Sequence, residues 1–369
     1  MTDIFLCGAM AWPPVLRLLA GDAADGARPA VLPDAAILSE DGCCFPVCVA
    51  QVGRTAEGIL LRDAPRDVLD RATFLAAGLG MDPVDRHIEG GAVRCFLAAP
   101  APLTQTAEWK EALWAERWGA HAGLAVQEIL THMGRFSPED LRGRMSMILS
   151  RAEARLAARD SAPATLRTAL EAGTAEVLDR QTPHAGFFLT RSYTLRHPGF
   201  DGTMSPTLMR EVFVATDAAI VLPYDPVRDR LLLVEQFRMG PFGRGDPLPW
   251  VLEPVAGRVD AGERPETTAR RECMEEAGLA LRGLEHVSSH YCSPGCSTEV
   301  FHCYVGLCDL PDLERGTGGL ETEDEDIRTH VLGFEAAMEL TRTGEANIGP
   351  LVLLLLWLER ERPRLRAIA

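Results

Sequence analysis

Residues 257 to 279 read GRVDAGERPETTARRECMEEAGL, and within them Gly257, Glu263, Arg271, Glu272, Glu275, Glu276 and Gly278 are spaced so that acids crowd one short stretch. From Pro265 to Ala277 there is no glycine, Glu263 and Glu266 sit near the start as a helix N-terminus prefers, and Gly278 stops the run. On such a helix Glu272 and Glu276 are one turn apart with Glu275 beside them, so three carboxylates share one face. Like charges this close repel unless the face is solvated or a hard cation neutralises it. Oxygen-only ligands suit magnesium, with manganese as the alternative. No histidine or cysteine completes a zinc set. A run of this kind ordinarily means a solvated acidic helix face. The glycine loop that enters the helix tips the weighing towards a site, because it brings backbone carbonyls and amides to the same place and lets Arg271 pair with Glu263.

The elements that must position these acids lie on either side. Upstream, AAIVLPYDPVRDRLLLVEQFRMGPFGRGDPLPWVLEPVAG alternates apolar strands, turns at Asp225-Pro226 and delivers Glu235, Gln236 and Arg238 just before the glycine loop. Arg238 and Arg210, in REVF, are candidates for binding phosphate oxygens with a planar fork, the ordinary alternative being a surface arginine. Downstream come SPGCSTE and an acidic stretch with Glu321, Glu323, Asp324, Glu325 and Asp326. Five acids in six residues usually form a solvated loop.

The segment from Gly257 to Leu279 resembles the full signature of the Nudix hydrolases, with Cys273 where that family has an aliphatic residue. From about Phe187 to the C-terminal helix, the order of the flanks resembles the ADP-ribose pyrophosphatase subfamily. The resemblance implies an α/β/α sandwich around a mixed sheet, and hydrolysis of ADP-ribose to AMP and ribose 5-phosphate with magnesium or manganese. Glu272 and Glu276 are then expected as metal ligands, with Glu275 and the carbonyl of Ala256 close by, and Glu263 and Arg271 as scaffold. Arg238 is expected to contact the substrate, with Arg210 and Glu235 as further binding candidates. Phe187 and Phe188 resemble the adenine-stacking aromatic, an edge strand that fills the core with one of them being the equal alternative. EDEDI places the group that orients or deprotonates the attacking water on Glu323, with Glu325 as deputy; Glu275, on the helix, is a further catalytic candidate. The subfamily also implies a homodimer in which TRSYTLRHPGFDGTMSPTLMREVF completes the partner's pocket. Two other readings stay open: another nucleoside diphosphate sugar, such as GDP-mannose or a different ADP-sugar, and a module that senses ADP-ribose without turnover. The second predicts loss of signature acids, and none is lost.

At 369 residues the chain is longer than one such unit needs, so a second domain is expected at 1–160, with 165–369 as the Nudix domain. IFLCGAM, AAILSE, CCFPVCVAQV, AEGILLRD and GAVRCFLAA read as strands and APRDVLDRATFLAAG as a helix; helices follow from Ala107 to Ala158, and the linker falls near Asp160 to Ala164. This pattern resembles a gamma-glutamylcyclotransferase-like α+β barrel whose glycine loop would be Cys7-Gly8-Ala9-Met10. The stretch that should bring that family's acid, Phe74 to Ala77, carries no carboxylate, so a non-catalytic domain is expected.

A net charge of −16 argues against a sequence-independent nucleic-acid surface, while a small diphosphate met locally by ions and arginines remains compatible. The longest apolar run, Leu351 to Leu358, is too short to span a bilayer and reads as a buried helix. With no basic N-terminal region ahead of an apolar stretch, the expected location is the cytoplasm. The ten cysteines form no CxxC pair, and reduced thiols are expected, including Cys292 and Cys296 around the SPG turn.

Overall fold

In the computed structural model the described residues are 2–40, 42–99, 106–159, 164–167, 174–310, 315–318 and 326–367. They form two compact units, Met1–Ala175 with Thr182–Phe187, and Glu176–Gln181 with Phe188–Ala369.

The first unit runs β1 (Thr2–Cys7), α1 (Pro13–Ala20), β2 (Arg28–Glu40), β3 (Val47–Ala64), α2 (Arg66–Gly78), β4 (Met81–Ile88), β5 (Gly91–Ala98), β6 (Thr106–Glu108), α3 (Glu111–Leu130), α4 (Pro138–Gly143) and α5 (Met145–Ala157). The sheet order is β4-β5-β1-β3-β2-β6, and β3 also reaches β5 at Val49↔Ala98, so the sheet curls into a half-barrel. Two strands expected from CVAQV and EGILL are one 18-residue strand. Gly53 (φ 80) and Asp34 (φ 53) make this continuity workable, since the Gly53 amide donates to the Asp34 carboxylate at 2.8 Å and both strands bend together. β4 escapes the alternation rule because, as an edge strand paired with β5, it tolerates Pro83 and exposed acids. Ser137 caps α4 in a reciprocal capping box with Asp140.

The second unit runs from the first six residues of β7 (Glu176–Ala185), whose last four belong to the first unit, through β8 (Leu189–Arg196), β9 (Leu208–Val214), β10 (Ala218–Asp225), β11 (Arg230–Phe237), α6 (Met239–Arg244), β12 (Trp250–Glu253), β13 (Val255–Arg258), α7 (Pro265–Ala277), β14 (Gly283–Tyr291), β15 (Val300–Leu307), β16 (Arg315–Gly318), β17 (Ile327–Gly333), α8 (Phe334–Thr343) and α9 (Gly349–Ala367). β7, β8 and β9 make a three-stranded sheet, and the others a mixed eight-stranded sheet ordered β14-β15-β10-β11-β17-β16, with β10 and β15 parallel. One face packs Ile220, Leu222, Leu231 and Leu233 against α8 and α9. The other packs Ala219, Val221, Leu232 and Val234 against Ala269 and Cys273 of α7, so the unit is an α/β/α sandwich with a mixed sheet.

β10 and β11 pair only beside their turn, at Tyr224↔Leu231 and Asp225↔Arg230, and then diverge. β13 pairs with the far half of β10, and β12 with the far half of β11. Pro254, between the two short strands, therefore sits at the corner of a fork, with Glu253 and Val255 on either side of it.

At the other end of this hairpin Asp229 takes a left-handed turn conformation (φ 57) and gathers Tyr224, Arg362 and Arg366, tying α9 to the sheet. Burial alone would raise the Asp229 pKa, but Arg362 and Tyr224 outweigh it and hold the carboxyl below its usual value. A depressed pKa means stabilisation that is present above the unfolded-state value and lost as pH falls through the folded-state one. Asn tolerates the same turn, so Asp229→Asn isolates the charge. It should cost about 1–3 kcal/mol near neutral pH, and the difference from the parent in urea unfolding should shrink as pH falls below the carboxylate range. A pH-independent difference would assign the effect to packing instead.

Candidate active site

α7 is fixed at both ends by backbone chemistry. Pro265 occupies its first turn, and Gly278 ends it in the left-handed region (φ 64), where the Gly278 amide donates to the Met274 carbonyl and the Leu279 amide to the Cys273 carbonyl. Thr268, Ala269, Cys273 and Glu276 form its buried face. Cys273 serves as a small core residue, and burial pushes its thiol pKa well up. Glu276 shares this face, so its side chain is 2% exposed, unusual for a carboxylate without a specific task.

β13 lies against α7, and its backbone meets the helix acids directly. The Ala256 amide donates to Glu276 Oε2 at 3.4 Å. A Cβ placed on Gly257 would fall 1.9 Å from Glu272 Oε1 and 2.0 Å from its Cδ, so only glycine lets the strand approach this carboxylate. Arg271 lies in the same group: Nη1 donates to Glu272 at 2.7 Å and Glu275 at 2.9 Å, while Nη2 donates to Glu263 at 3.3 Å and to the Arg258 carbonyl at 3.3 Å. Thr268 Oγ1 also donates to Glu263 at 2.7 Å, which ties the loop to the helix. Burial alone would lower the Arg271 pKa, but these carboxylates more than reverse it, and the guanidinium stays charged.

Three glutamates, 263, 272 and 275, thus surround one guanidinium, and Glu276 meets the Ala256 amide beside them. The oxygen donors and the side-chain-free cradle at Gly257 suit a hard divalent ion by donor chemistry. Among the described residues no cluster of three or more His, Cys, Asp or Glu is gathered in ion-binding geometry, and Arg271 bridges two of the acids.

The other candidates distribute unevenly. Arg238 follows β11 on the α7 face of the sheet and donates through Nε to Glu253 Oε2 at 2.7 Å. Glu235 falls on the opposite face with Leu231 and Leu233, where His330 contacts its carboxylate at 2.8 Å and Arg328 at 3.5 Å. Alternation along β11 separates the two, a consequence of period-two geometry that listing them together as EQFR conceals. Arg210 is exposed on β9 opposite Tyr193 and donates to the Met209 carbonyl at 2.9 Å. Phe187 (77% exposed) belongs to the first unit and Phe188 (60%) to the second. Glu323 and Glu325 lie outside the described residues.

Some polar groups here were not singled out from sequence. Glu253 is one, an acid inside an apolar strand immediately before the glycine loop, and burial outweighs Arg238 to raise its pKa. Glu299, the last residue of SPGCSTE, is likewise raised, by burial first, and takes a hydrogen bond from the Cys292 thiol. All ten cysteines are free thiols. A concavity of about 1410 Å³, lined by residues such as Gly8, Glu57, His87 and Trp109, belongs to the first unit and includes none of the acids above.

Comparison with known proteins bears on the second unit. A family model described as NUDIX domain matches residues 215–352. An ADP-ribose pyrophosphatase of Escherichia coli (strain K12) is 39% identical over 191 residues, which cover 52% of this chain and 90% of that protein. A GDP-mannose pyrophosphatase of Salmonella arizonae is 34% identical over 170 residues, covering 45% of this chain and 87% of that protein. A crystal structure of an ADP compounds hydrolase aligns with a TM-score of 0.41 at 20% identity, over 52% of this chain and 98% of that one. With the signature acids on one helix against a glycine strand, and relatives matched over most of their length, the chain belongs to the Nudix hydrolase family.

Proposed function

We propose that the second unit hydrolyses the diphosphate of ADP-ribose to AMP and ribose 5-phosphate. The observation that carries this reading is the approach of Gly257 to the Glu272 carboxylate, which assembles the acids of α7 beside the Ala256–Arg258 backbone. The relatives named ADP-ribose pyrophosphatase support the substrate. GDP-mannose is the second reading, favoured by the somewhat more distant pyrophosphatases of that name.

Glu272, Glu275, Glu276 and the Ala256 carbonyl would hold magnesium, or manganese in its place. When bound, such an ion supplies positive charge to the diphosphate and acidifies water. Arg271 keeps the acids gathered, Thr268 and Glu263 hold the loop to the helix, and Arg238 binds the diphosphate through its guanidinium, with Arg210 and a phenylalanine of the Phe187-Phe188 pair on the remainder of the substrate. Glu323, with Glu325 as deputy, takes the proton of the water whose oxygen attacks phosphorus as the P–O–P bond breaks.

The exposed Phe237, whose ring meets those of the exposed Phe242 and Trp250, supports a homodimer of this unit, since adjoining exposed aromatic rings favour cover. A mass-resolved solution measurement should find two copies, and a fully active monomer would remove this part. The first unit, from its resemblance, is non-catalytic: Leu75 and Ala76, in the stretch that would carry that family's acid, are fully buried core. No turnover of gamma-glutamyl dipeptides is expected, and turnover would overturn that assignment.

Against a panel of nucleoside diphosphate sugars with magnesium, AMP release from ADP-ribose should outpace all competitors; equal or absent turnover sinks the substrate assignment. Glu276→Gln should abolish hydrolysis with an unchanged circular dichroism spectrum, and a parent-like rate would overturn the metal role. Glu323→Gln should slow turnover by about two to four orders of magnitude, the range for losing a general base. An unchanged rate would move the role to Glu325.

A further inference from the structure

Glu253 and Arg238 meet at the fork between β10 and β11. Glu253 ends β12 opposite Val234 of β11, on the face that packs α7, and Arg238 follows β11 on that same face. The Arg238 amide donates to the Pro249 carbonyl at 3.0 Å, which fixes the backbone from which the side chain springs. The Glu253 side chain is 13% exposed and that of Arg238 is 40% exposed, so the pair is anchored at its acidic end and open at its basic end.

The bond is made by Nε, the inner nitrogen, at 2.7 Å. Among the described residues none takes a hydrogen bond from the two outer nitrogens of Arg238. A guanidinium gripped at Nε has its plane and its stem fixed while Nη1 and Nη2 keep the geometry of a two-pronged donor. A buried carboxylate is costly to retain for stability alone, because its desolvation offsets much of its attraction for a partner. Glu253 also belongs to the corner that leads through Pro254 and Val255 to Ala256, whose amide meets Glu276. The same backbone thus places the carboxylate cluster and the group that holds the arginine.

We infer that Glu253 is a positioning residue, which holds Arg238 by Nε so that its two outer nitrogens face the diphosphate of the substrate. The inference rests on the reading that Arg238 meets that diphosphate. It assigns Glu253 no contact with the substrate and no proton transfer; its effect passes through Arg238 alone.

The test compares the full-length parent, Glu253→Gln, Arg238→Ala and the double variant for hydrolysis of ADP-ribose with magnesium, with KM and kcat measured separately and thermal midpoints recorded. Arg238→Ala should raise KM at least about tenfold, and Glu253→Gln should raise KM by a substantial part of that with kcat within about threefold, since misplacing a binding group by about an ångström costs up to a hundredfold. In the Arg238→Ala background Glu253→Gln should add nothing to KM, because the group it orients is gone. Glu253→Asp, which keeps the charge, should fall between Glu253→Gln and the parent, and it stands in if Glu253→Gln does not fold. If Arg238→Ala leaves KM unchanged, the reading of Arg238 itself fails. If Arg238→Ala raises KM but the Glu253 variants do not, or if they raise it equally without Arg238, positioning by Glu253 is overturned while the reading of Arg238 stands.

Discussion

The site depends on a side chain that is missing. At Gly257 the strand backbone comes within reach of the Glu272 carboxylate, closer than any Cβ permits. This contact brings an oxygen-rich helix face against a strand whose own amides and carbonyls point outward. Glycine's freedom elsewhere in the chain mostly serves turns; here its lack of volume matters more than its range of dihedrals. Because the acids are held by backbone on one side and by Arg271 on the other, their mutual repulsion is absorbed before any ligand arrives.

The fork in the sheet does the corresponding work for the other half of the site. Two strands that stayed paired along their whole length would close over this space. Their divergence admits two short strands joined at Pro254, which turn the Glu253 side chain towards α7 and bring the Ala256 backbone amide to Glu276 by different ladders. Polar groups at such a corner are shielded by strands on both sides, and this accounts for burial dominating the pKa of Glu253 even with an arginine in contact.

How much of this was legible in the sequence follows from what each signal measures. The helix from Pro265 to Ala277, its glycine stop, the Arg271–Glu263 pair and the turn after Asp225 are local features with residue types that demand them, and they stand where spacing placed them. The serine-capped start of the helix at Pro138 is of the same kind. In the sequence the long β3 looks like two strands because Gly53 looks like a break until its partner Asp34 is seen across the ladder. β4 gives no strand signal because an edge strand needs neither alternation nor apolar residues. Glu253 carried no signal of its own: its meaning comes from Arg238, fifteen residues away in sequence and across a strand pair. Glu235 and Arg238 were adjacent in motif but belong to opposite faces, which only the sheet decides.

That last point reaches beyond these two residues. β11 is a ribbon with two unlike sides, one carrying Leu232, Val234, Gln236 and then Arg238 towards α7, the other Leu231, Leu233, Glu235 and Phe237 towards the opposite layer. A single inserted or deleted residue anywhere along it would exchange the sides, presenting an aromatic ring to the acids and an arginine to the oily layer. A length change within this strand is therefore far more disruptive than a substitution, whereas the loop between β11 and β12 can change length without exchanging anything.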